Sequence, residues 1–342
     1  MTTTVDHTTT EGPPTQPVTE PIRPVMGWAA LGALFALLAL YVQGRWLLGG
    51  QAHHVGTGIT PVPLYARISV RSNEILFGLG SLVCCYLAVL RPKARTGEIG
   101  FNGLLWLALF FVWWQDAITN YLAPGFAWNA QFLNLGGWGA NIPGWASPNP
   151  GQSTIPLVWD VGFYLFASFV LLVMASALLE RARHRWPNLK LPVLLALYYV
   201  VLVVADFAME FLWVVTGSYA YGGTVKSWTL FSGHYYQFPI YEALLAAAVF
   251  LGWTCLVHFK NEQGETFLER GLGRVTLRRR PKQFVRFLAL VGGLNVAYLI
   301  CYFIPINAFQ NHGGPWPADL QKRSYMVHGL CGPGTAVTCG KR

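Results

Sequence analysis

Five carboxylates stand inside the apolar runs of this chain: Asp116, Asp160, Asp206, Glu210 and Glu242, with Glu74 at the edge of the second run. An ionised side chain within a bilayer costs ~2.5 kcal/mol or more, so it normally faces a cavity or a partner. No Lys or Arg lies inside a run to answer these acids, apart from Arg45 and Arg286 near run ends. Carboxyl groups crowded away from water cannot all be ionised, so a protonated acid can stand beside a carboxylate acceptor. That combination is what general acid–base catalysis requires. Asp206 and Glu210 are spaced i and i+4, which stacks them on one helix face, and Asp116 and Asn120 have the same spacing. Asp160 and Glu74 lie near run ends, where reaching interfacial water or capping a helix is the expected role. Asp206 lies too deep for that. His234, in Ser-Gly-His-Tyr-Tyr-Gln, reads first as a loop histidine, and Asn295 as a hydrogen-bonding contact between helices.

The elements that must carry these residues are membrane spans. The chain has 342 residues, 54% hydrophobic and 11% charged, against roughly 25% charged in a soluble domain. Six cysteines without CxxC pairs exclude a disulfide scaffold and zinc modules. Runs of the ~20 apolar residues needed to cross a bilayer occur seven times, at about Val25–Leu48, Asn73–Leu90, Asn102–Tyr121, Leu157–Leu179, Leu191–Val215, Phe238–His258 and Phe284–Pro305. All are expected to be helical, because lipid offers no partner for open backbone groups. The expected fold is therefore an all-α polytopic membrane bundle of about seven transmembrane helices with a long aromatic outer loop. Its parts are a disordered Thr/Pro-rich tail (1–24), the membrane domain (25–305) and an outer C-terminal tail (306–342).

Of the 24 Lys and Arg, sixteen fall on one side of this layout and eight on the other. The positive-inside rule then predicts a multi-pass protein of the cell membrane with a cytoplasmic N-terminus and an outer C-terminus. At a ~1.5 Å rise per residue, every acid inside a run falls in the outer half of the bilayer. The outer connection Leu122–Pro156 has no charged residue but contains Trp128, Trp138 and Trp145, so it should lie in the interface or fold back as a lid. Cys331 and Cys339 also fall outside, where a disulfide could form. Basic residues interleaved with exposed aromatics on a soluble face are missing, so nucleic acid is not an expected partner.

The segment Trp113-Trp114-Gln115-Asp116 through Asn120-Tyr121, continuing to Ile142-Pro143-Gly144-Trp145, resembles the avermectin spirocyclase (AveC-type) family. So does Tyr219-Ala220-Tyr221 followed by Gly233-His234-Tyr235-Tyr236-Gln237-Phe238-Pro239-Ile240-Tyr241-Glu242. The resemblance implies a membrane enzyme of macrolide polyketide tailoring that closes a dihydroxy-ketone into a spiroketal with loss of water, with dehydration of the product as a further activity. The acids suit this chemistry: one carboxyl protonates the leaving hydroxyl and another accepts the proton of the incoming one. The catalytic expectation is Asp206 and Glu210 as one pair, faced by Asp116 and Glu242. His234, Tyr236, Asn120, Asn129 and Trp114 are candidates for substrate contacts. No cofactor and no metal is expected. The expected partners are an apolar small molecule, a polyketide or a lipid-like substrate, and membrane lipid. A polyketide is made in the cytoplasm while the acids sit toward the outside. Three readings reconcile this: an apolar substrate that partitions into the bilayer and comes in sideways between helices, a span count that differs by one, or a different, lipid-like substrate.

The main alternative is a proton-coupled transporter of an apolar metabolite, since intramembrane acids also relay protons. It would favour inverted repeats broken at the midplane, and the two halves show no internal symmetry. A retinal receptor would need a Lys in the seventh run. A haem or quinone oxidoreductase would need paired histidines within runs, where only His258 stands, at a helix end.

Overall fold

A computed structural model describes residues 24–327, 329–332 and 334–340; the expected N-terminal tail lies outside them. Seven long apolar helices form the bundle: α1 (Pro24–Leu48), α2 (Leu64–Thr96), α3 (Phe101–Asn120), α4 (Leu157–Arg185), α5 (Leu191–Val215), α6 (Ile240–His258) and α7 (Arg279–Asn311). All seven expected spans are present, and two of them continue past a proline. The sequence suggested stops at Leu90 and Pro305, whereas α2 runs past Pro92 and α7 past Pro305. In each case a π turn comes just before, at Tyr86–Leu90 and at Leu299–Phe303. A π turn already shifts the backbone register, and proline has no N–H to offer an α turn, so the two irregularities coincide instead of breaking the helix twice. Helix α2 also begins nine residues earlier than expected. Its polar first turns are satisfied by the loops: Ser69 Oγ lies 2.9 Å from both Thr216 Oγ1 and Ser218 Oγ.

Helices α1 and α7 cross backbone to backbone. A Cβ at Gly32 would meet the Leu288 carbonyl oxygen at 1.8 Å, and one at Gly292 the Trp28 carbonyl oxygen at 2.2 Å. Small residues permit this approach, which lipid would otherwise fill. Asn295 of α7 receives Trp114 Nε1 at 3.0 Å and Gln115 Nε2 at 2.6 Å on its Oδ1, and its amide donates to Phe111 O, tying α7 to α3.

The connections 49–63, 122–156 and 216–239 and the chain after α7 gather at one end of the bundle, here the lid end, while 259–278 lies at the other. The uncharged segment 122–156 is a lid. Within it β1 (Phe126–Trp128) pairs antiparallel with β2 (Tyr219–Tyr221) from the α5–α6 connection, with Phe126 opposite Tyr221 and Trp128 opposite Tyr219. Trp138, fully buried, donates to Trp114 O at 2.7 Å and packs edge-on to Trp46 and Trp113. The chain after α7 does not trail away as a tail. It folds over the two strands, with Trp316 Nε1 on Pro124 O at 3.0 Å and a disulfide joining Cys331 to Cys339.

Candidate active site

Under the lid, α3, α4, α5, α6, α7 and the two strands enclose a cavity of about 60 Å³. Its wall contains all five acids read from the sequence. Asp206 and Glu210 are one turn apart on α5, and Glu242 sits in the first turn of α6. These three each bring a carboxylate oxygen within 4.8 Å of the others. Asp116 and Asp160 complete the wall from α3 and α4.

The acids meet because their helices alternate in direction. Those in α3 and α5 lie near the ends of their spans, those in α4 and α6 near the beginnings, which brings all of them to one level. Proline helps to set the second group: Pro156 precedes α4 and Pro239 precedes α6, both in extended backbone, so each helix starts just before its acid.

The acids are answered by neutral donors. Tyr221 Oη donates to Glu210 at 2.5 Å, Tyr302 Oη to Glu242 at 3.2 Å and Tyr164 Oη to Asp116 at 3.0 Å. Trp113 Nε1 donates to Asp160 at 2.6 Å. Among the described residues no Lys or Arg lines the cavity. Four buried polar atoms of the wall, Trp159 Nε1, Asp206 Oδ2, Glu242 Oε2 and the Tyr219 hydroxyl, have no hydrogen-bond partner among the described residues. A buried polar group left in that state costs about 1–3 kcal/mol unless something outside the protein satisfies it. Burial, reinforced by the charges of Glu210 and Glu242, pushes the Tyr219 and Tyr221 phenols well above their ordinary range, so both remain donors. Around the acids stand aromatic faces, among them Trp128, Trp159, Phe163 and Trp253. By donor type and spacing, the three clustered carboxylates could also hold a hard divalent cation.

The structure thus gathers Asp206, Glu210, Glu242 and Asp116 in one cavity. The five substrate-contact candidates stand elsewhere. His234 is exposed in the α5–α6 connection and stacks on Tyr236 at 5.0 Å; neither lines the cavity. Asn120 is spent on the lid, accepting from Gly125 N and Phe126 N and donating to Phe126 O. The end of α3, Trp113–Asn120, winds as a 3₁₀ helix with three residues per turn, so position i+4 no longer stacks on Asp116. Asn129 donates to Gly217 O and accepts from Gln131 N, and Trp114 faces Asn295.

Asp160 is a correction in the other direction. Its place near a helix start suggested contact with interfacial water, but the lid seals that end and leaves it 1% exposed. Glu74, expected at a span edge, lies almost three turns inside α2, where it pairs with Arg71 and accepts the lid's Leu133 N–H at 2.6 Å. Sequence reasoning missed Tyr164, Tyr298 and Tyr302. Tyr302 and Tyr164 lie in π turns, and only the acids opposite them and Tyr298 mark these tyrosines out, so no spacing signal in the sequence pointed to them.

No curated protein and no solved structure matches the chain. The AveC-like spirocyclase family matches residues 95–326. The match takes in the whole acid–tyrosine wall and extends well beyond the Trp113–Glu242 stretch that carried the resemblance. Membership supports an enzyme of polyketide tailoring. Covering more than half of the chain, the match shows that this protein belongs to the family of AveC-like spirocyclases.

Proposed function

We propose that this membrane protein closes a dihydroxy-ketone of polyketide origin into a spiroketal, using its buried carboxyls as general acid and base. The observation that carries the reading is the group Asp206, Glu210 and Glu242, with no cationic side chain lining the cavity and no partner for Asp206 Oδ2, Glu242 Oε2 and the Tyr219 hydroxyl among the described residues, which leaves these atoms to meet a substrate. In the first step one substrate hydroxyl adds to the ketone, losing its proton to a carboxylate while a carboxylic acid protonates the carbonyl oxygen. The resulting hemiketal hydroxyl is then protonated and leaves as water, giving an oxocarbenium ion. The second hydroxyl attacks that carbon and its proton passes to a carboxylate, which restores the starting protonation with one water lost. The aromatic faces of Trp128, Trp159 and Trp253 favour the transient cation.

We assign the proton exchange to Asp206, Glu210 and Glu242, with Asp116 opposite and Asp160, bonded to Trp113, supporting it. The same acid and base, applied to a neighbouring hydroxyl of the product, would eliminate a second water. Proton transfer of this kind needs no metal, so turnover should survive chelation. The charge asymmetry of the loops supports an outward-facing lid end, and the Cys331–Cys339 disulfide at that end supports an oxidising compartment there.

Mass spectrometry of the polyketide pool with and without the protein tests the reading. Loss of one water with a new spiro ring is the expected result. An unchanged structure with altered export would instead support the transporter.

A further inference from the structure

A second, larger hollow faces the bilayer beside the cavity. It is an apolar groove of about 390 Å³ between α1, the end of α3 and α7, roofed by Ile142 and Pro143 of the lid. Leu38, Leu299 and Ile304 form its sides, and Ile304 is 59% exposed to the surroundings of the bundle. Phe303 forms its floor. The Phe303 ring lies 4.4 Å from that of Tyr298 and 5.3 Å from that of Tyr302, and both tyrosines line the acid cavity. Phe303 on the groove side, packed against Tyr298 and Tyr302 on the cavity side, therefore separates the groove from the acids.

The elements that form this partition are irregular parts of two spans. One is the 3₁₀ end of α3, with Asp116 and Thr119 on the cavity side and Ile118 on the groove side. The other is the π turn Leu299–Phe303 of α7. π turns inside α-helices are found frequently at functional sites. Asn307 joins the two, donating to Ile118 O at 2.7 Å and accepting from Leu122 N at 3.1 Å.

Size identifies the occupant. A cavity of about 60 Å³ takes a few water-sized groups, enough for a ketone carbon and its oxygens but not for the body of a polyketide. We propose that the groove binds the apolar body of the substrate as it arrives from the bilayer, while the Phe303 partition opens to pass only the ketone and its two hydroxyls to the acids. This rests on the spirocyclase reading and adds to it the substrate's shape: a reactive polar segment joined to a long apolar one.

The test uses the full-length protein in lipid nanodiscs and two probes, a short dihydroxy-ketone and the same molecule carrying a long alkyl tail. Ile304→Trp and, independently, Leu38→Trp fill the groove from its lipid side. In both, the ratio of kcat/KM for the tailed over the short ketone should fall about tenfold, the scale of losing one or two buried methylenes' worth of contact. Leu82→Trp, at a lipid-exposed site on α2 far from the groove in sequence, should leave the ratio as it is. A diazirine at the end of the tail should cross-link to Leu38 and Ile304 in the unaltered protein. An unchanged ratio in both groove variants overturns the proposal and leaves the groove to a lipid acyl chain, as does cross-linking spread evenly over the exposed apolar surface. If neither ketone is turned over, the spirocyclase reading fails, and the cross-link pattern still decides whether the groove takes the tailed molecule.

Discussion

The two ends of the bundle treat the same residue types in opposite ways. At the end away from the lid, three acids are matched to permanent partners. Glu98 pairs with Arg279 at 2.5 Å and Glu269 with Arg286 at 2.5 Å, while Glu269 also closes a capping box with Thr266. Glu265 accepts from the backbone N–H groups of Gly271 and Gly273 at 2.9 and 2.6 Å. Under the lid, five acids share one cavity whose donors are phenols and an indole. An arginine fixes a carboxylate in its ionised form, because guanidinium does not titrate in proteins. A tyrosine hydroxyl supports either form. The first arrangement holds a fold together, and the second leaves a proton free to move.

Matched substitutions at the two ends sharpen this contrast. The largest effect is expected from Glu242→Gln, which keeps the shape but removes the exchangeable proton. Turnover should fall by about a hundredfold or more, while Glu269→Gln should leave it nearly unchanged; both are read from initial rates of spiroketal formation. Tyr221→Phe removes the donor to Glu210 and should lower kcat by about tenfold, the scale of one hydrogen bond to a charged group. Arg286→Ala should leave turnover alone and lower stability by about 1–3 kcal/mol, since Glu269 is 4% exposed in its side chain and would lose its cation. A thermal melt in detergent measures that loss.

The smallest effect concerns pH. Burial alone would raise the Glu265 carboxyl, but the Gly273 and Gly271 amides, helped by Asn261 and Arg274, bring it below the ordinary glutamate value. Its folded form therefore favours the ionised state. The stabilisation is present above the unfolded value of about 4.3 and is lost as pH falls through the lower folded value. Limited proteolysis should show residues 259–278 loosening only in that acid range.

The spans and the acids were legible because both are local signals. A run of apolar residues declares a helix in lipid wherever it lies, and an acid within such a run stands out against it. Common depth followed from counting residues along helices of alternating direction. What escaped the sequence depends on contacts between distant segments. The lid turns the expected wet end of α4 into a sealed one and so moves Asp160 from the interface to the cavity. The 3₁₀ winding of α3 takes Asn120 off the face of Asp116. The π turns carry α2 and α7 past Pro92 and Pro305, beyond the expected span ends. Tyr298 and Tyr302 were hidden for another reason: tyrosine is unremarkable in a membrane span until an acid is found opposite it.

The central claim is that Asp206 and Glu210 exchange protons with a bound dihydroxy-ketone. The most direct measurement is the rate of spiroketal formation, followed by mass spectrometry, for the protein carrying both Asp206→Asn and Glu210→Gln in nanodiscs, with cross-linking of the tailed probe verifying that the fold and the groove persist. The account predicts retained cross-linking and a rate lower by about a hundredfold or more. Retained cross-linking with an unaltered rate would contradict it.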